Sequence, residues 1–229
     1  MKDTTVIPKA AFAICYILSF YGCAKKAEDY SGPANSFKRY PIEHFHITYE
    51  ISGDGRGIEE VYVSDYGKFE AEQSKTEIFA QQGVMSEDRS LVTRIADIYE
   101  IDNQRKEYIH NHVNALDSVF HLGGKDIPSP AQYMETQMQS GFLRNVGQET
   151  IDGKLTTKWQ QPDGNLTMWT WNGILFRKTV HADEGGGGIT MMLKTFDSSW
   201  VVDTTKFMIP KGYTERVPNQ EEMNAPQPN

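Results

Sequence analysis

The most restrictive feature of this sequence is a series of hairpin signals between segments in which apolar and polar residues alternate. Asp152-Gly153 lies between predicted strands 144–151 and 154–160, and Asn172-Gly173 lies between two more. Asp-Gly and Asn-Gly favour the tight turns that join antiparallel strands, because both central residues of these turns need a positive φ. The pattern therefore predicts an antiparallel sheet made of consecutive hairpins.

The alternation begins in the N-terminal half, where Phe45, Ile47, Tyr49 and Ile51 are separated by polar residues. A period of two predicts a strand with one buried face. Similar segments follow along the whole chain. The further predicted strands are 58–65, 68–72, 76–81, 91–95, 97–101, 106–110, 165–171, 174–182, 189–196, 199–203 and 206–210.

The strand pattern is interrupted once, between residues 112 and 141. Apolar residues at 113, 116, 119 and 120 have helical spacing, which predicts a short helix. A second helix is predicted from Pro130 to Ser140, with Ser129 as its N-cap and Gly141 at its end. Strands and helices do not alternate, so we expect a mainly β, α+β domain whose sheet is a large antiparallel meander.

The N-terminus has the pattern of an export signal. Lys2 and Lys9 precede an apolar run over residues 10–22, and the chain becomes polar directly after Cys23. The run is too short to span a bilayer, which needs about 20 apolar residues. Three interpretations of this segment are open. They are an ordinary secretory signal cleaved near Ala24, an uncleaved anchor, and a signal whose Cys23 is lipidated.

The end of that run resembles the lipobox of bacterial lipoproteins, in which a small residue precedes a cysteine that receives diacylglycerol. Gly22 and Cys23 fit this motif, whereas Phe20 and Tyr21 replace the leucine and the small residue usual at those positions. The resemblance implies that Cys23 is the lipid attachment site and that the mature protein is anchored to a membrane. Ala24 is not the aspartate that favours inner-membrane retention, so we expect the outer membrane rather than the inner one.

Charge and cysteine content exclude several classes of function. The chain has 229 residues, a formal net charge of −8 and no cluster of basic residues, so we expect no nucleic-acid partner. Its only cysteines are Cys15 and Cys23. Cleavage before Cys23 leaves one thiol, so the exported domain has neither an internal disulfide nor a thiolate metal site.

The C-terminal half carries the most informative motifs. It contains Gly147-Gln148-Glu149-Thr150-Ile151-Asp152-Gly153-Lys154, then Trp169-Thr170-Trp171, and finally Phe207-Met208-Ile209-Pro210-Lys211-Gly212-Tyr213. This order of hairpins resembles the lipoprotein-carrier (Lol-type) superfamily over about residues 42–213. The resemblance implies a curved antiparallel half-barrel whose open side is covered by two short helices, with an apolar cavity that holds acyl chains in the carriers.

The predicted organisation has four parts. They are a lipoprotein signal peptide (1–22), a tether (23–41), the half-barrel domain (42–213) and a disordered polar tail (214–229).

We find no motif that predicts catalysis. The chain has no G-x-S-x-G, H-E-x-x-H or P-loop sequence, so we expect a protein that is not an enzyme, with no catalytic residues and no cofactor. His44 and His46, like His110 and His112, are two positions apart and could share one face of a strand. No carboxylate or cysteine stands at a recognised ligand spacing, so we expect solvent-facing histidines and no metal site. The acidic pair Glu59-Glu60 is interpreted as surface charge.

Aromatic and methionine side chains are the candidates for lining a cavity. The predicted ligand-lining residues are Tyr62, Tyr99, Tyr133, Met134, Met138, Trp169 and Trp171. Two hypotheses follow. The favoured one is a lipid-anchored envelope protein that binds a lipid or lipoprotein-like ligand in the half-barrel. The alternative is an envelope protein-interaction module whose interior is filled by its own side chains.

Overall fold

The computed structural model describes residues 40–80, 83–94, 97–112, 141–181 and 187–217. These residues form a single curved, open sheet of twelve strands. The mainly β fold class predicted from the sequence is therefore confirmed. The signal peptide, Cys23, most of the tether and both predicted helices lie outside the described residues.

The strands follow one another with short connections in each half of the chain. They are β1 (Phe45–Gly53), β2 (Gly55–Ser64), β3 (Phe69–Ala80), β4 (Gly83–Arg94), β5 (Asp97–Asp102), β6 (Glu107–His112), β7 (Arg144–Ile151), β8 (Lys154–Gln160), β9 (Leu166–Trp171), β10 (Ile174–His181), β11 (Gly188–Asp197) and β12 (Thr214–Glu215).

Two meanders joined side by side make up the sheet. Its strand order is β12-β6-β5-β4-β3-β2-β1-β11-β10-β9-β8-β7. The first and last long strands join the meanders, since β1 pairs antiparallel with β11 from His46↔Asp197 to Gly53↔Ile189. Consecutive strands β6 and β7 consequently lie far apart in the sheet. The short β12–β6 pair is parallel, and the other pairs are antiparallel.

The hairpins at Asp152-Gly153 and Asn172-Gly173 form as predicted. Asp152 and Gly153 have φ of 48° and 74°, and Asn172 and Gly173 have φ of 49° and 76°. These are the left-handed conformations that a two-residue turn needs to match the right-handed twist of the strands it joins. The strands on either side begin and end within one residue of their predicted limits.

Strands β3 and β4 are longer than predicted. The predicted strands 68–72 and 76–81 are one continuous strand, and β4 begins at Gly83 rather than at Leu91. The segments missed are polar, as in Gln73-Ser74-Lys75, and carry little intrinsic strand preference. Pairing with a strand on each side holds β3 extended, since tertiary context outweighs propensity in sheets.

The two strands predicted at 199–203 and 206–210 are wrong. The chain instead forms a 3₁₀ turn over Thr204–Phe207, with Asp203 as its N-cap residue. Asp203 Oδ1 accepts hydrogen bonds from the Thr205 amide at 3.0 Å and the Thr205 hydroxyl at 2.6 Å. These local bonds compete with a sheet ladder, so the segment crosses the sheet surface as irregular chain. Strand β12 lies at the start of the range predicted as a disordered tail.

Two apolar clusters occupy opposite faces of the sheet at β1 and β2. The larger, here called the Phe45 cluster, contains Tyr40, Phe45, Ile47, Tyr49, Ile51, Val61, Val63, Ile78, Trp169, Ile174, Phe176, Ile189, Met191 and Leu193. The smaller, here called the Phe207 cluster, contains Tyr62, Ala71, Val92, Ile101 and Phe207. The segment around the 3₁₀ turn covers this second cluster. Within the described ranges, no helix has the length and apolar content needed to cross a membrane.

Candidate functional site

The structure separates the predicted ligand-lining residues that it describes. Tyr62 is buried in the Phe207 cluster, and Tyr99 packs against that cluster. Trp169 is buried in the Phe45 cluster, and Trp171 packs against it. The two tyrosines and the two tryptophans therefore belong to different clusters and do not line one common cavity. Tyr133, Met134, Met138 and the predicted lipid attachment residue Cys23 lie outside the described residues.

Trp169 and Trp171 form an aromatic border to the Phe45 cluster. The Trp171 ring meets Phe196 edge-on, with centroids 5.9 Å apart. Lys154 Nζ lies 5.2 Å from the Trp171 ring centroid. Trp169 has Arg177 and Lys158 over its ring at 4.8 and 5.0 Å. The border therefore consists of apolar indole rings with charged lysine and arginine groups over their faces.

The Trp169 indole is also fixed through its polar edge. Its Nε1–H donates a hydrogen bond of 2.8 Å to Glu149 Oε2. Lys158 Nζ lies 3.9 Å from the same carboxylate oxygen. Because Trp169 is only 6% exposed, this partner satisfies the one polar atom that burial would otherwise leave unpaired.

Buried charge lies on the same face of β2 as the apolar side chains of the Phe45 cluster. Glu59 is only 4% exposed and Lys178 only 7%. Burial raises the pKa of the Glu59 carboxyl to about 7, and the positive charge of Lys178 partly opposes this rise. The interpretation of Glu59 as surface charge is therefore wrong. Strand alternation could have revealed this, since Glu59 is two residues from Val61 and must share its face.

Tyrosine hydroxyls extend this polar region. Tyr49 stands opposite Glu59 in the β1–β2 ladder, and its hydroxyl donates to the Leu175 carbonyl at 2.8 Å. Burial, with a smaller contribution from Glu59, raises the pKa of Tyr49 well above its ordinary value. The Tyr40 hydroxyl donates to Glu70 Oε1 at 3.1 Å. One face of the sheet thus combines a large cluster of buried apolar side chains with a few buried polar groups.

A groove of about 650 Å³ lies across β1 to β4 and is lined mainly by polar and charged residues. Three ion pairs span it, namely Lys194–Glu50, Arg56–Glu77 and Lys75–Asp88. Ile58 is its exposed apolar residue, with 53% of its surface accessible. Although most of these residues are polar, the surface that they present to the groove is mostly apolar.

The predicted histidine pair on β6 meets a carboxylate. His110 Nε2 and His112 Nδ1 lie 2.8 and 2.9 Å from Asp97 Oδ1, and the His110 ring stacks on Tyr99. Hydrogen bonds from these two histidines lower the pKa of Asp97. His46 also stacks on a tyrosine, Tyr62, with ring centroids 4.5 Å apart. Among the described residues, no set of three or more histidine, cysteine and acidic side chains is arranged to hold a metal ion.

The hairpin of β3 and β4 presents an exposed apolar tip. Phe79, Val84 and Met85 are 43%, 62% and 38% exposed. The pairing of β2 with β3 ends at Ile78, and the pairing of β4 with β5 begins only at Arg89, so the tip extends beyond both neighbours. Side chains of this kind on a projecting hairpin are typical of a contact surface.

No family model and no curated protein matches this chain. Solved structures with a related arrangement include an uncharacterized conserved protein from Thermus thermophilus, with 9% identity and a TM-score of 0.47, over 77% of this chain and 91% of the other. The Pseudomonas aeruginosa MucA/MucB complex contains another, with 12% identity and a TM-score of 0.40, over 76% of this chain and 56% of the other.

A third is an outer membrane lipoprotein-sorting protein domain from Vibrio parahaemolyticus, with 7% identity and a TM-score of 0.26, over 74% of this chain and 91% of the other. Structures with this likeness thus include a lipoprotein-sorting domain and a protein in complex with a partner.

Proposed function

We propose that this chain is a lipid-anchored protein of the cell envelope that binds a hydrophobic or amphipathic ligand along the Phe45 cluster. The observation that carries the proposal is the composition of that face. A continuous cluster of buried apolar side chains extends from β1 and β2 to β10 and β11, is bordered by Trp169 and Trp171, and has the buried Glu59 carboxyl on the same face. An apolar site with few polar groups suits a ligand that is mostly hydrocarbon.

Native mass spectrometry of the protein purified from an envelope fraction tests ligand binding. We expect a co-purifying species of lipid mass that is retained at low collision energy. The Trp169→Ala variant should lose much of that species, because truncation removes part of the aromatic border. Val201→Ala, at an 84% exposed position, is the matched control and should retain it. Consistent absence of any bound mass from the wild type would contradict the proposal.

The membrane anchor is a separate part of the proposal and has its own test. Stable anchoring needs more than one acyl chain, which diacylglycerol on Cys23 together with N-acylation provides. We expect the wild-type protein to sediment with membranes and the Cys23→Ser variant to appear in the soluble fraction. A Cys23→Ser variant that still sediments with membranes would show that another element provides the attachment.

A second candidate function is docking to a partner protein through the β3–β4 hairpin. The exposed side chains of Phe79, Val84 and Met85 favour it, since they lie together at a tip that projects from the sheet. Replacing Phe79 and Val84 by serine should abolish pull-down of a specific envelope partner and leave the bound lipid mass unchanged. The opposite result would assign the hairpin to ligand binding.

A further inference from the structure

One edge of β4 is open beside the apolar tip of the β3–β4 hairpin. Strand β5 pairs with β4 only from Arg89 onward, so residues 83–88 have β3 on one side and no described strand on the other. β5 ends at Asp102, whose Oδ1 accepts hydrogen bonds from the Gln104 and Arg105 amides as the chain turns away. Six residues of β4, about 20 Å of strand, therefore lie at an edge of the sheet.

The backbone groups of this edge point outward at every second residue. The Asp88 carbonyl accepts a hydrogen bond from the Asn103 amide, and the Ser86 carbonyl accepts one from Gln104 Nε2, both at 3.0 Å. Successive residues of an antiparallel strand direct these groups to opposite sides, so the Val84 N–H and C=O also face outward. Within the part of the chain that the structure describes, neither the Val84 nor the Ser86 N–H meets an acceptor there.

This edge lacks the features that usually protect one. Bulges, charged residues and prolines discourage the pairing of an edge with another strand. The β3–β4 ladder has no register shift, and residues 83–86 include neither a charge nor a proline. Val84 and Met85 are 62% and 38% exposed, and alternation places them on opposite faces of the hairpin. A regular, apolar edge of this kind readily accepts a further strand.

We propose that the open edge of β4 binds an extended segment of a partner protein, which adds to the sheet as a further strand beside residues 83–88. The inference rests on the second candidate function, because it assigns the partner and the binding mode for the same hairpin. Strand addition obtains affinity from main-chain hydrogen bonds and specificity from alternate side chains. Val84, with Phe79 opposite it in the ladder, favours a β-branched or aromatic side chain of the partner on that face.

The dimensions of the edge favour a peptide segment over a second copy of this chain. A stable interface between folded proteins buries about 1,200–2,000 Å², and pairing through six residues of one strand covers only a small part of such an area. The turn at residues 103–106 stands beside the edge, where Gln104 contacts Ser86. An extended segment can end before this turn. Glu87 and Asp88 at the same end disfavour an acidic residue in the partner, since like charges on neighbouring strands are destabilising.

A labelled octapeptide of alternating valine and threonine, with a lysine at each end, is the probe. It is titrated into the unlipidated Cys23→Ser protein, and binding is followed by fluorescence anisotropy. Ser86→Pro removes the outward N–H and leaves the bonds to β3, which come from the neighbouring residues. We expect this variant to bind the peptide about tenfold more weakly than the wild type. Ser86→Thr keeps the N–H and is the matched control, which should bind like the wild type.

Hydrogen exchange supplies a measurement on the wild-type side chains, so the test holds even if Ser86→Pro does not fold. The Val84 and Ser86 amides should exchange rapidly in the free protein and at least about tenfold more slowly with saturating peptide, because the added strand gives them acceptors. The Met85 amide faces β3 and serves as the internal reference, since its exchange should change much less.

The outcomes separate this inference from the function on which it rests. Peptide binding without protection of the Val84 and Ser86 amides would overturn strand addition, and docking through the side chains of the hairpin would stand. Absence of peptide binding, or a wild-type dimer that Ser86→Pro dissociates, would overturn a peptide segment as the occupant of the edge. Failure of docking itself is measured separately, by the pull-down with Phe79 and Val84 replaced by serine.

Discussion

At the scale of single residues, Glu59 makes the stability of the folded protein depend on pH. Its pKa is about 7 in the folded protein, against 4.5 as the ordinary value. The folded state therefore holds this proton more tightly than the unfolded state does. The contribution of Glu59 to stability is fully present below pH 4.5 and is lost as the pH rises through 7.

Glu59→Gln should remove this pH dependence. A difference of this size in pKa corresponds to about 3 kcal/mol of unfolding free energy between acidic and mildly alkaline pH. Urea unfolding at pH 5 and pH 8 measures it, and the wild type should lose more stability between the two than the variant does. Glu60→Gln should behave like the wild type. Equal losses in Glu59→Gln and wild type would show that Glu59 is ionised in the fold at both pH values.

At the scale of elements, β7 shows how the sheet protects an edge. Among the described strands β7 pairs only with β8, and residues 144–150 are exposed. Its ladder shifts register between Asn145 and Gly147, where Gly147 has a φ of 123°. The Gly147 amide donates to Asn145 Oδ1 at 2.8 Å. A bulge and a side chain that occupies an edge N–H both discourage pairing with a further strand.

Removing this protection should promote self-association. Gly147→Thr introduces a β-branched residue where φ is positive, which favours a regular strand over the bulge. Combined with Asn145→Val, it leaves a flat edge with a free N–H group. We expect the double variant to form oligomers in light scattering at concentrations where wild type is monodisperse. Gln148→Thr, which leaves the bulge intact, is the control, and oligomers in this control would contradict the explanation.

The elements also show what a sequence can reveal about this fold. Strands β7 to β10 were predictable because Asp152-Gly153 and Asn172-Gly173 define both turns locally. The middle of β3 was not, since its polar residues become strand only through pairing with β2 and β4. The C-terminal segment reads as strand, yet Trp200 and Phe207 pack on a sheet face instead of joining a ladder.

The candidate site was predictable only in part. Trp169 and Trp171 are two positions apart on one strand, so alternation puts them on the same face, and both lie at the Phe45 cluster. Tyr62 and Tyr99 were grouped with them on chemical character alone, which carries no information on which face of a curved sheet a residue occupies. The burial of Lys178 depends on contacts between strands that are distant in the chain, so a local pattern does not reveal it.

At the scale of the whole molecule, β1 and β11 hold the two meanders together. Tyr49, Ile51, Met191 and Leu193 on these strands all belong to the Phe45 cluster, so the junction and the proposed site share the same side chains. A ligand along this face contacts both meanders at once. We expect a bound hydrophobic or amphipathic ligand to raise the melting temperature, because it binds the folded state alone. Unchanged melting at saturating ligand would contradict binding to the folded state.

The β1–β11 pairing also has a consequence for how the chain reaches its fold. Each meander is built from local hairpins, whereas this junction pairs residues 136 to 151 positions apart. We therefore expect the closure of this long loop to be the slow step of folding. A chain cut between β6 and β7 should therefore supply two fragments that each form hairpins and recombine through β1 and β11. Recovery of the native circular dichroism spectrum on mixing, with a rate that depends on fragment concentration, is the expected result.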